Sequence, residues 1–213
     1  IDGPINTWPI STPALYRQLS SFEGQGTAAS LGSALGLTGY LLDGYRKKGI
    51  FLREVSGGAA FEPMAHRGFQ YQQRANGQTA LALDWMSGSF AARLRGLWDI
   101  PSDQKVRPDG SYVASFVGDW IFTAGYVDRF WGPGWSTSLA WSMQSAPPLS
   151  VWMQRRFHRA ARLPLFKWLG PWSLVALVSQ TDATDHTFES SIAGARFSLR
   201  PLSGLSLGRS FLH

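Results

Sequence analysis

From Arg53 onward, apolar side chains return at every second residue, and this period restricts the possible folds more than any other feature of the chain. Leu81, Leu83 and Trp85 alternate with Ala80, Ala82 and Asp84; Phe90, Ala92, Leu94 and Trp98 oppose Ala91, Arg93 and Arg95. Ala193, Ala195, Phe197 and Leu199 oppose Gly194, Arg196 and Ser198. A period of two sends successive side chains to opposite faces of a β-strand. The two faces differ in kind. One is made of Leu, Phe, Trp, Tyr, Ala and Val. The other is made of small polar residues with Glu54, Arg74, Asp84, Arg93, Arg95, Arg196 and Arg200. A soluble sandwich clothes its polar face with lysine and glutamate, yet only 16% of this chain is charged, against about 25% in ordinary soluble domains. A small, arginine-rich face suits the wall of a wet lumen, and the apolar face then suits lipid. The expected fold is all-β, an antiparallel up-and-down transmembrane β-barrel.

Residues 49–213 hold about eleven candidate strands, each near the length that crosses a bilayer at a tilt. Two of them are 69–74 and 139–143, and 171–180 is apolar on both faces. Residues 1–48 differ. Ser11-Thr12-Pro13 is a helix start, and Leu31, Leu35, Leu41, Leu42 and Tyr45 fall near helical spacing among small residues, which predicts a helical, plug-like segment. Ile1-Asp2-Gly3-Pro4 opens on a turn-like segment, so no signal peptide is expected in it, and no apolar run approaches the roughly 20 residues of a spanning helix. Trp85, Trp98, Trp120 and Trp172 recur at strand ends, as interfacial girdles do. With eleven strands, the short turns at Ser87-Gly88 and Gly118-Asp119 share one end. The connections 99–111, 129–136 and 158–171 then share the other, which is the outer mouth.

The net charge of +6 is carried mostly by arginine, whose planar fork matches carboxylate and phosphate. An acidic polymer or anionic headgroups are therefore the expected partners. Nucleic acid is not, because no helix-turn-helix, zinc-finger or RNP-like pattern is present. The absence of cysteine excludes a disulfide scaffold and a cysteine metal site. Asp182, Asp185 and His186 read as a solvated acidic turn rather than a cation site, so no metal and no cofactor are expected. The four histidines have no serine or carboxylate constellation around them, and catalysis is not expected.

Two stretches are candidates for binding a glycan. In DRFWGPGW, residues 128–135, Trp131 and Trp135 could offer flat faces to sugar rings while Arg129 pairs with a uronic-acid carboxylate. Glycine and proline there first of all suit a fold-critical turn sealed by aromatics. By alternation from Ile121, Arg129 falls on the lumen-facing set. The connection 158–171 carries Arg159, Arg162, Lys167 and Trp168, suited to an anionic glycan or to lipopolysaccharide phosphate.

The run DGSYVASFVGDWIFTAGYVDRFWGPGWSTSLAWSMQSAPP resembles the central signature of the Wzi capsule-assembly family, with TWPI, LGPWS and RPLSGLSLGRS in the family's order. The resemblance lapses over residues 210–213. It implies an outer-membrane β-barrel plugged by a helical bundle, with a lectin-like role in attaching capsular or related extracellular polysaccharide to a Gram-negative surface. It also implies that this chain is partial, since family members are about twice as long with roughly eighteen strands. The expected architecture is thus an incomplete sheet with an exposed edge. A porin-like passive channel and a soluble β-sandwich carbohydrate-binding module are the alternatives.

Overall fold

The computed structural model describes residues 7–8, 48–59, 61, 76–100, 106–132, 146–155, 170–181, 190–202 and 205–213. The helical reading of 1–48, apart from a two-residue strand, lies outside the described residues. The strands are β1 (Thr7–Trp8), β2 (Gly49–Ala59), β3 (Gly77–Met86), β4 (Phe90–Ile100), β5 (Tyr112–Val117), β6 (Trp120–Gly125), β7 (Phe130–Trp131), β8 (Leu149–Arg155), β9 (Trp172–Thr181), β10 (Ser190–Leu202) and β11 (Leu205–Leu212).

Nine of them form one antiparallel meander in the order β11-β10-β9-β8-β6-β5-β4-β3-β2, and β1 pairs with β7 in a second, two-stranded sheet. The large sheet is not closed: β2 and β11 are its edges. β2 pairs directly with β3, and β6 directly with β8. Among the described residues the large sheet thus has nine strands, against the about eleven expected over residues 49–213. Residues 69–74 and 139–143 lie outside the described residues. At the end of the chain β11 runs through Ser210 to Leu212, and His213 exchanges backbone hydrogen bonds with Ala193.

Losing one strand from the count between β6 and β9 reverses an end. The connections 87–89, 118–119 and 203–204 share one end of the sheet, and those at 60–76, 101–111, 126–148 and 182–189 share the other. The connection 156–171 belongs to the short-turn end, opposite to where eleven strands would put it.

Burial separates the faces as the alternation predicts. Gln78, Ala80, Ala82 and Asp84 are buried, while Leu81, Leu83 and Trp85 between them are exposed. The pattern repeats in β6, where Ile121 and Thr123 are buried beside exposed Phe122, and in β8, where Ser150, Trp152 and Gln154 are buried beside exposed Val151. In β9 it resolves the doubly apolar stretch, with Ser173, Val175, Leu177 and Ser179 turned inward. β5 runs in the opposite phase to a reading by side-chain size: Val113 and Val117 face outward. Ala114 packs with Ala91 and Ile121 inside, against Tyr112 and Phe116. Large apolar side chains thus cover the outside and the polar residues are inside, the reverse of a soluble sandwich and the pattern of a lipid-facing wall. Trp85, Phe90 and Trp120 flank the short-turn end, consistent with an aromatic girdle.

Candidate functional site

On the inner face of β2, β3 and β4 the charges are paired. A bulge between Leu52 and Glu54 admits one extra residue, Arg53. That residue reaches Asp84 through Nε at 2.9 Å. Arg93 grips the same carboxylate, Nε to Oδ1 at 2.6 Å and Nη2 to Oδ2 at 2.9 Å. Arg95 makes a two-pronged contact with Glu54, Nε to Oε2 and Nη2 to Oε1 both at 2.9 Å, and its Nη1 donates to the Asp109 carbonyl. Bidentate pairs of this kind fix side chains strongly. Asp84 is 2% exposed, a depth at which a carboxylate is tolerated only because two guanidinium groups compensate it. Near the other edge of the sheet, on the same inner face, Arg196 is buried in β10 and donates from Nη1 to Ser210 Oγ at 2.6 Å. The Arg200 amide donates to the Pro171 carbonyl.

The stretch around residue 130 sits over the inner face of the other half of the sheet. β7 pairs with β1 through Thr7↔Trp131 and Trp8↔Phe130, so the chain's TW and FW dipeptides lie side by side. The Trp131 indole is 1% exposed, in one apolar cluster with Trp152, Val175 and Leu177, with Val127 packed against it. Its ring edge rests on β10, where a Cβ at Gly194 would come within 3.2 Å of it. The flat face expected to meet sugar is therefore turned into protein packing.

Arg129 is equally deep, at 1% exposure. Its guanidinium lies 4.0 Å from the Trp152 ring centroid, and Nη1 donates to Ser150 Oγ at 2.8 Å. That oxygen lies 3.2 Å from Ser179 Oγ, and the two hydroxyls bond the carbonyls of Pro148 and Leu149. The serines are cross-strand partners on β8 and β9. Arg129 Nε and Nη2 are buried without a hydrogen-bond partner among the described residues. Arg129 lies beyond the end of β6, and burial lowers its guanidinium to about 10 while the charge of Asp128 acts the other way; it stays protonated at neutral pH.

Of the remaining sequence candidates, Arg74, Trp135, Arg159, Arg162, Lys167 and Trp168 lie outside the described residues. The flanks of 159–168 are described. Arg155 stacks 3.8 Å from the Trp172 ring centroid and donates to its carbonyl, at the short-turn end. Arg129 and the connection 156–171 are thus anchored at opposite ends of the sheet. Sequence reasoning missed Trp152, Ser150 and Ser179, which follow simple alternation once β9 is assigned its inward face. No group of acidic, His or Cys side chains suited to a metal occurs among the described residues.

Residues 47–212 match the family described as Capsule assembly protein Wzi. The chain belongs to that family. A Klebsiella pneumoniae relative described as an uncharacterized 55.8 kDa protein in cps region is 28% identical over 154 residues, covering 70% of this chain and 30% of the relative. Wzi of Escherichia coli, an outer membrane protein involved in group 1 capsule assembly and a carbohydrate-binding β-barrel, matches with a TM-score of 0.83 at 24% identity. That match covers 100% of this chain and 48% of the E. coli protein. The chain spans less than half the length of either relative.

Proposed function

We propose that this chain forms part of an outer-membrane β-barrel that binds capsular or related extracellular polysaccharide during capsule assembly, as a lectin rather than an enzyme. The observation that carries the reading is the inverted sheet, apolar outside and arginine- and serine-rich inside, in a chain that belongs to the Wzi family. The arginine-rich inner face favours an acidic polysaccharide, since guanidinium is the side chain that matches carboxylates bidentately. Outer-membrane lipid, including lipopolysaccharide, covers the exposed Leu, Val and Trp side chains. Residues 1–48 serve as the plug of the lumen. Trp135, in the connection 126–148, supplies a loop contact to the glycan at the outer mouth, and Arg159, Arg162, Lys167 and Trp168, in the connection 156–171, meet it on the periplasmic side before it reaches the surface. Immobilised acidic capsular polysaccharide should retain the detergent-solubilised protein while neutral dextran does not. Elution of the protein from both matrices alike would count against a polysaccharide-binding role.

A further inference from the structure

We infer that Arg129 is a carboxylate-binding residue of the glycan site, reading a uronic-acid residue of the polysaccharide through Nε and Nη2; this rests on the polysaccharide-binding reading above. Three features of the geometry lead to it. First, the two nitrogens that lack partners among the described residues are Nε and Nη2. These form the side-on edge of a guanidinium, whose two parallel N–H bonds match the two oxygens of one carboxylate. Second, the rest of the group is already fixed. Trp152 lies 4.0 Å beneath its plane, and Nη1 is held by Ser150 Oγ, itself tied to Ser179 and to the Pro148 carbonyl. Such a group loses little freedom when it binds. Third, an internal cation with unsatisfied donors is costly, and a carboxylate removes both the charge and the hydrogen-bond deficit at once.

Ser150 and Ser179 hydroxyls adjoin the guanidinium, and the elements that bring it there are the two signature segments paired as β1 and β7. Arg53, Arg93 and Arg95, by contrast, already hold Asp84 and Glu54. The fork is closed to solvent, so a sugar carboxylate meets it only by displacing the groups packed around it. Association should therefore be slower than diffusion allows.

The test compares two probes on the full chain in detergent: a short glucuronic-acid-containing oligosaccharide, and its carboxyl-reduced counterpart carrying glucose in place of the acid. The wild-type protein should bind the acidic probe at least about tenfold more tightly. Arg129→Lys keeps the charge but not the fork, and should abolish that preference. Ser150→Ala removes the brace on Nη1 and should weaken the preference several-fold, which covers the case in which Arg129→Lys does not fold. Equal binding of the two probes, or a preference that survives Arg129→Lys, overturns the assignment. So does competition by inorganic phosphate at the concentration of the acidic probe, which would mark a general anion site. If neither probe binds, the polysaccharide-binding reading itself fails.

Discussion

Two glycines are held in place by backbone geometry. Gly125 has φ +148°, and a Cβ there would collide with the Ser111 carbonyl oxygen and lie 2.6 Å from Tyr112 Cα. Gly170, of the LGPWS motif, has φ +65°, and a Cβ would strike the Arg200 carbonyl oxygen. That close approach accompanies the bond from the Arg200 amide to the Pro171 carbonyl. Gly125→Ala and Gly170→Ala should each cost about 2–3 kcal/mol in urea unfolding from lipid. Gly88, where an added Cβ would meet nothing within 4 Å, should tolerate alanine within about 0.5 kcal/mol. Asp84→Asn leaves Arg53 and Arg93 without their shared carboxylate and should cost roughly 2–4 kcal/mol, the range for stripping a partner from a buried pair after allowing for the part-exposed arginines. A wild-type unfolding curve for the Asp84 variant would show that water, not the pair, satisfies those arginines.

At the scale of the strand, inner and outer sets were legible wherever polar and apolar residues strictly alternate, as in β3, β6 and β10. Three local effects hid the rest. In β2 the bulge at Arg53 changes the apolar spacing from Ile50 and Leu52 to Val55, a step of three that simple alternation does not allow. In β5 both faces carry apolar side chains, so size gave no phase; packing against Ala91 and Ile121 sets it. Two strand-like runs, 69–74 and 139–143, match the period, yet β2 pairs directly with β3 and β6 directly with β8. Alternation is necessary for a barrel strand, and pairing decides. Because the chain has no cysteine, the resulting orientation is directly testable. Ser190→Cys, at the long-connection end, should react with a membrane-impermeant maleimide on intact cells, and Ser89→Cys, in a short turn, should react only after lysis. The opposite pattern would invert the sheet.

For the whole molecule, the nine-stranded sheet makes its first and last strands parallel in direction, and both edges are largely exposed. An open edge in lipid leaves backbone N–H and C=O groups unsatisfied, so amides of β2 and β11 should exchange with deuterium well before those of β6 and β8. The binding chemistry was less legible than the fold. DRFWGPGW stood out as a motif, but that Trp131 packs inward and that Arg129 keeps two buried donors depends on β1, Gly194 and Trp152, which are distant in sequence. The central claim is the inverted sheet, and a nitroxide scan along β9 in liposomes tests it most directly. Labels at Leu174, Ala176 and Val178 should be accessible to lipid-dissolved oxygen, and labels at Val175, Leu177 and Ser179 should be shielded from it. Uniform accessibility along the strand, or the reverse alternation, would contradict the account.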